Sequence, residues 1–353
     1  MVLANILANR NIKISIFDES KLKNKSNTRT LGIAKKNIEF LKKEKINLNN
    51  ISWPINNIKI FNESNNDKEI LTFGPVKDKL FSIIKNYQFI NLLEKKIKKN
   101  KLIKLVKKNK NSFLNSIINN KNKFDLVINF DEDNKISKEI FFRRDLKNYN
   151  SEAYTTLIKH QKFENKLAHQ IFTKIGPLAF LPYSSNETSV VFSIFKKNKN
   201  ISEKEIIELI KKYNKNYKIK SFSKIEKFNL KGSVLKNYYY KKILCFGDNI
   251  HKIHPLAGQG FNMTVRDIKV LLKIIKNRMD HGLELNSSVC LEFEKDVKHK
   301  NFIFSNGIDF IYEFFNLERK DKTKILSNIV QYLGKNKLTN QVFTKFADNG
   351  LIV

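Results

Sequence analysis

The segment 243-ILCFGDNIHKIHPLAGQGFNMTVRDIKVLL-272 constrains this chain more than any other. Four consecutive apolar residues, Ile243 to Phe246, read as a buried strand. The strand ends in Gly247-Asp248, a loop follows, and Gly258-Gln259-Gly260 opens a helix. Gly247 lets backbone approach a ligand closely, and a carboxylate at a strand end can accept hydrogen bonds from sugar hydroxyls. The small residues Ala257 to Gly260 expose backbone N–H groups at a helix N-terminus, where the macrodipole favours anionic oxygens. Pro255 stiffens the approach to the helix. These features describe a cradle for a phosphate-bearing cofactor. The competing reading is an ordinary strand–loop–helix with glycine as punctuation.

Elsewhere the pattern alternates. Met1–Arg10 has helical spacing, Ile12–Phe17 reads as a strand ending at Asp18-Glu19, and Ile33–Glu44 is helical. Ile58–Phe61 and Leu80–Ile84 are strand-like, Phe89–Lys98 is helical, and Phe124–Phe130 is a continuous apolar run suited to a buried parallel strand. Between Arg143 and Tyr240 the chain turns β-rich. Ser202–Tyr213 interrupts that block as a helix, with Ser202 as N-cap and Glu205 completing a capping box. From Ser287 onward the chain reads as largely helical. Strands alternate with helices at both ends around a β-rich block, which suggests a discontinuous nucleotide-binding domain carrying an inserted lobe.

The formal net charge is +33, from 67 Lys and Arg against 34 Asp and Glu. Only seven of the basic residues are arginine, the residue whose bidentate fork suits nucleic-acid recognition. Lys, Asn and Ile are enriched together throughout, as the codons of an AT-rich genome dictate. The charge therefore reads as compositional, with no nucleic-acid partner. The dense run 95–111 reads as a solvated face, with an anionic membrane surface as the alternative. Cys245 and Cys290 form no CxxC pair and suit a reducing cytoplasm. His251 and His254 stand at H-x-x-H spacing, but a metal would need a third ligand, so no metal site is expected.

Over about 20 residues, GD-x-x-H-x-x-HPLAGQG-x-N-x-x-x-x-D resembles the second FAD fingerprint of the class A flavin monooxygenases, and within them the ubiquinone-biosynthesis hydroxylases. The resemblance implies that Asp248, beside Gly247, binds the ribityl hydroxyls of FAD. It implies that the backbone of Ala257, Gly258, Gln259 and Gly260, led in by Pro255, faces the pyrophosphate and the pyrimidine edge. Asn262 and Met263 should lie beside the isoalloxazine. Upstream, 12-IKISIF-17 ends on Asp18, where the family places an acid on the adenosine ribose. The segment 28-TRTLGIA-34 matches the family's arginine-bearing stretch, with Arg29 against the cofactor. The likeness continues through 176-GPLAFLP-182, in the substrate lobe, into the C-terminal helices.

Two departures stand out. At 130-FDEDNK-135, Asp131 is kept, but Glu132 and Lys135 replace the family's glycine and serine. The first strand and its GxGxxG turn, which should precede Val2, are missing, and residues 1–10 resemble the later part of the helix after that turn. The expectation is that roughly 10–20 further in-frame codons upstream encode them.

The resulting expectation is an α/β fold with a doubly wound, Rossmann-like FAD-binding domain (1–50, 85–135 and 243–285). A β-rich substrate domain (51–84 and 136–242) is inserted in it, and a C-terminal helical region (286–353) follows. The implied activity is FAD-dependent hydroxylation of a polyprenylphenol-like ring in ubiquinone biosynthesis, with NAD(P)H as electron donor. The flavin carries the chemistry, so no acid–base residue is required, and His251 is the one catalytic candidate. A cytoplasmic location is expected, with peripheral contact at the inner face of the cytoplasmic membrane or a ubiquinone-biosynthesis complex as further options. The alternatives are a truncated or non-catalytic homologue, and a lysine-rich protein that binds membrane or nucleic-acid surfaces.

Overall fold

The computed structural model describes residues 1–17, 28–63, 69–73, 80–106, 117, 124–196, 201–254 and 258–321. Helix α1 (Val2–Ala8) leads into β1 (Ile14–Phe17), and β2 (Thr30–Ala34) runs directly into α2 (Lys35–Lys43). Then come β3 (Ser52–Ile55), β4 (Asn57–Asn62), β5 (Glu69–Phe73), β6 (Phe81–Lys85), α3 (Asn86–Lys99) and β7 (Ile103–Val106). β8 (Val127–Asn129) and α4 (Lys135–Glu139) precede β9 (Arg144–His160), β10 (Leu167–Thr173), β11 (Gly176–Pro182) and β12 (Glu187–Phe195). Helix α5 (Glu203–Tyr213), β13 (Ile219–Phe222) and β14 (Glu226–Leu235) complete the β-rich block. The chain closes through β15 (Tyr239–Tyr240), β16 (Ile243–Cys245), β17 (His251–Lys252), α6 (Gln259–Asp280) and α7 (Ser287–Asp321).

Among the described residues the strands form four sheets. The largest runs β17-β14-β9-β12-β11-β10-β4-β5, with β13 also on β9, and is antiparallel except where β10 meets β4. Two parallel pairings lie outside it. β1 pairs with β7, and β16 pairs with β8, with β15 antiparallel on the other side of β16. A small antiparallel sheet runs β2-β6-β3. The segment 51–84 thus divides: β4 and β5 join the large sheet, whereas β3 and β6 pair with β2 from the N-terminal segment.

Two main cores follow. In one, α1, α2 and α3 pack with β16, α6 and α7 around Ile6, Leu41, Phe89, Leu244, Phe246, Leu271 and Phe293. In the other, Ile206 and Ile210 of α5 pack on Ile158, Leu178, Val190 and Phe192 of the large sheet. Each fully buried side chain of this size contributes about 1.5–3 kcal/mol. The capping box at α5 is present: Ser202 Oγ accepts from the Glu205 N–H at 3.3 Å, and Glu205 accepts from the Ser202 N–H at 2.7 Å.

Several boundaries differ from the sequence reading. Ile33 and Ala34 belong to β2 rather than to the following helix, because Ile33↔Ser82 and Ala34↔Phe81 pair with β6 and bury Ile33 completely. Of the apolar run 124–130 only Val127–Asn129 is strand, and Val127 and Ile128 are half-buried. The β8 strand pairs only with β16 among the described residues. The end of the lysine run, 107–111, and residues 322–353 lie outside the described residues.

Candidate cofactor site

All three residues of β16 are buried. The strand gives way at Gly247, where φ is +64°, to a short 3-10 turn over Gly247–Asn249. A Cβ at Gly247 would sit 3.3 Å from the Phe130 ring, so this position combines a left-handed backbone with a close neighbour. On this turn the Asp248 side chain is exposed, whereas Gly247 and Asn249 on either side are buried.

Helix α6 begins 11 residues after Asp248, at Gln259, with Gly258 as N-cap at φ +62°. No side chain caps it, so its first N–H groups are not satisfied by an N-cap side chain. A Cβ at Gly258 would lie 3.6 Å from the Gly32 nitrogen, which brings strand β2 against the helix start. Among the described residues a Cβ at Gly260 would meet nothing within 4 Å. Open space beside the N-terminus of a 22-residue helix suits an anionic group.

The clamp between β2 and α6 is Asn262. Its Oδ1 accepts from the Ala34 N–H at 3.0 Å and from Asn37 Nδ2 at 2.9 Å, and its Nδ2 donates to the Gly32 carbonyl at 2.9 Å. Asn262 is buried, and both ends of its amide are engaged inside the protein. Met263 is fully buried against Phe304 and Ile308 of α7. Both side chains are thus engaged within the protein, Asn262 across β2 and α2 and Met263 against α7. Gln259 is half-buried at the first helical position.

Arg29 is exposed next to β2, its guanidinium 5.1 Å from the Phe228 ring of β14 and its carbonyl accepting from the Asn86 N–H. On either side, Thr28 meets Thr155 at 3.1 Å and Thr30 donates to Ser189 at 3.1 Å. The arginine-bearing segment is thereby stitched both to the large sheet and to the helix start. Asp18, Pro255 and Ala257 lie outside the described residues.

His251 is fully buried in β17, and its Nε2 meets Asp267 Oδ2 of α6 at 2.8 Å, with Asn301 Nδ2 also donating to that carboxylate. His254 is buried between the rings of Tyr149 (4.9 Å) and Tyr312 (4.4 Å), and among the described residues neither ring nitrogen has a hydrogen-bond partner. Burial pushes its pKa down to about 3, so it is neutral. The two histidines do not join a group of three candidate metal ligands among the described residues.

Sequence reasoning missed Arg144 and Asn249. Arg144 Nη1 donates to the Asn249 carbonyl at 2.7 Å, and Nη2 donates to Asn249 Oδ1. The available signal was the rarity of arginine in so lysine-rich a chain. The departure at Glu132 has a local explanation, since Glu132 pairs with Lys252 Nζ of β17 at 2.5 Å.

Residues 117–281 match the family model described as FAD binding domain. Ubiquinone hydroxylase UbiM of Neisseria meningitidis is 23% identical over 207 residues, covering 56% of this chain and 44% of that protein. The 3-demethoxyubiquinol 3-hydroxylase of Escherichia coli is 29% identical over 153 residues, covering 42% and 39%. The matches thus span less than half the length of these relatives. Among solved structures, p-nitrophenol 4-monooxygenase PnpA from Pseudomonas putida superposes with a TM-score of 0.75 at 11% identity, covering 100% of this chain and 96% of that one. The 2-methyl-3-hydroxypyridine-5-carboxylic acid oxygenase superposes with a TM-score of 0.66 at 10% identity, covering 94% and 92%.

The chain shares its fold with these monooxygenase and oxygenase structures, which at 10–11% identity is a likeness of fold. Residues 117–281 are similar to the FAD binding domain family, and the chain is similar in sequence to the two ubiquinone-biosynthesis hydroxylases named above.

Proposed function

We propose that this chain binds FAD and serves as a monooxygenase that hydroxylates a polyprenylphenol-like aromatic ring in ubiquinone biosynthesis. One observation carries the reading: an exposed carboxylate, Asp248, at the end of a buried strand precedes an uncapped helix N-terminus at Gly258-Gln259-Gly260. The names of the sequence relatives supply the substrate class. Asp248 would accept hydrogen bonds from the ribityl hydroxyls, and the N–H groups from Gly258 onward would face the pyrophosphate. Arg29, next to β2, would lie toward the cofactor. When bound and reduced, FAD supplies the activation of oxygen, with NAD(P)H as the proposed electron donor. The chain's own contribution would be to orient the ring and exclude water. Among the described residues no helix is long and apolar enough to cross a membrane. Contact with a lipid-soluble substrate would then be peripheral.

The replacements at Glu132 and Lys135 favour a second reading, a non-catalytic homologue that keeps the fold. The visible absorption spectrum of the purified protein, before and after addition of FAD, decides between them. A bound-flavin spectrum and NAD(P)H oxidation stimulated by a prenylated phenol support the enzyme. A colourless protein that takes up no FAD overturns it.

A further inference from the structure

The residue after Asp248 is held more tightly than a loop residue needs to be. Asn249 is fully buried, and every polar atom of its side chain is used. Its Nδ2 donates to the Asn129 carbonyl at 3.1 Å and to Ser137 Oγ at 3.2 Å, with the Asp131 carbonyl at 3.4 Å. Its Oδ1 and its backbone carbonyl both accept from the guanidinium of Arg144. Behind it, Asn129 donates to Ser137 Oγ, Asn134 donates to Asn129 Oδ1, and Ser137 Oγ donates to the Asp131 carbonyl. This buried polar network joins the carboxyl ends of β8 and β16 to the start of α4.

Arg144 comes from elsewhere. It is the first residue of β9, the 17-residue strand of the large sheet, and its Nε also donates to the Phe141 carbonyl at 3.1 Å. Two parallel N–H groups on one residue fix direction as well as distance, which a lysine ammonium cannot do. Gly247 on the other side of Asp248 lies against the Phe130 ring. The carboxylate therefore projects from a turn pinned at both neighbours, while Asp248 itself makes no hydrogen bond within the protein among the described residues.

We propose that Arg144 and Asn249 are positioning residues for Asp248: the Arg144 fork, acting through Asn249, holds the Gly247–Asn249 turn so that the carboxylate meets the sugar hydroxyls of the cofactor. The inference rests on the FAD reading above and adds that the β-rich sheet, through the first residue of β9, sets the geometry of the cofactor's carboxylate partner.

The test is FAD titration of the full chain by flavin fluorescence, with Arg144→Lys, Asn249→Ala, Asp248→Ala and the Arg144→Lys/Asp248→Ala double variant. Losing a charge-assisted fork should weaken FAD binding roughly 10- to 100-fold in Arg144→Lys. In the Asp248→Ala background the same change should cost nothing further, because the fork acts through that carboxylate. A general structural role would instead give additive losses. Hydrogen exchange on the cofactor-free protein gives a second readout, with faster exchange of amides 247–250 expected in Arg144→Lys and unchanged exchange in α5. Wild-type affinity in Arg144→Lys, additive losses in the double variant, or unchanged exchange at 247–250 would each overturn the proposal. Absence of FAD binding in the wild type overturns the flavin reading itself, and is told apart because the exchange readout needs no FAD.

Discussion

The imidazole of His251 and the carboxylate of Asp267 meet at 2.8 Å in a part of the interior where neither has more than 2% side-chain exposure. They join β17, at the rim of the large sheet, to α6, the helix that carries the glycine turn. Asn301 of α7 donates to the same carboxylate at 3.2 Å, so three elements converge on one side chain.

Removing that carboxylate should therefore be costly for the fold rather than for the chemistry. Asp267→Ala leaves His251 Nε2 and Asn301 Nδ2 buried without an acceptor, a loss of about 3–5 kcal/mol if the pair is ionic and less if it is neutral. Urea unfolding of the variant should show a clearly lowered midpoint. A midpoint equal to wild type would mean that the convergence is not energetically important.

Asp248→Ala should behave in the opposite way. Its carboxylate is exposed and has no hydrogen-bond partner among the described residues, so the unfolding free energy from urea titration should change by less than about 0.5 kcal/mol. Flavin affinity should fall by roughly tenfold or more, as expected for a lost hydrogen bond to a charged group. Full flavin occupancy in the variant would remove Asp248 from the site.

These contrasts show what could be read from the chain. The β16 strand, the glycine turn and α6 are contiguous in sequence, and local pattern was enough to find them. The Ser202–Glu205 capping box is equally local. Asn262 is different: its partners Gly32 and Ala34 lie some 230 residues away, and nothing near it shows that its amide would close on a β2 edge rather than face a ligand. The same holds for His251, whose burial is decided by β14 on one side and Asp267 on the other. Arg144 and Asn249 meet across 105 residues and belong to segments whose sequences say nothing of each other. Long-range polar pairing was the part not legible locally.

Acid should weaken the fold through two histidines. Burial lowers the pKa of His254 from 6.5 to about 3 and that of His169 to about 4. The unfolded chain then binds protons that the folded chain excludes, so stability is fully present above pH 6.5 and is lost as the pH falls toward those values. At pH 5 each histidine should cost on the order of 2 kcal/mol relative to pH 7.5. His254→Phe keeps a ring between Tyr149 and Tyr312 and removes one of the two contributions. Urea midpoints at the two pH values should therefore differ less in the variant. An equal pH dependence in both proteins would mean that His254 is protonated in the fold.

Gly258 offers a test of the cradle that depends on backbone rather than charge. Its φ of +62° lies in the left-handed region, where a residue with a Cβ pays roughly 1–2 kcal/mol and a β-branched residue more. The Cβ itself would lie 3.6 Å from the Gly32 nitrogen, an ordinary contact, so Gly258→Ala should carry the conformational penalty with little clash. Gly258→Asn should cost less, since asparagine tolerates this region. Gly258→Val adds methyl groups beside β2 and should be the least stable of the three. Flavin affinity should separate from stability. Any side chain at 258 intrudes where N–H groups must approach a pyrophosphate, so Gly258→Asn should lose affinity although it folds well. Titrating FAD into the three variants, alongside their urea midpoints, separates the two effects. If Gly258→Val and wild type bind FAD equally, the cofactor does not sit at this helix start and the cradle has to be sought elsewhere on the chain.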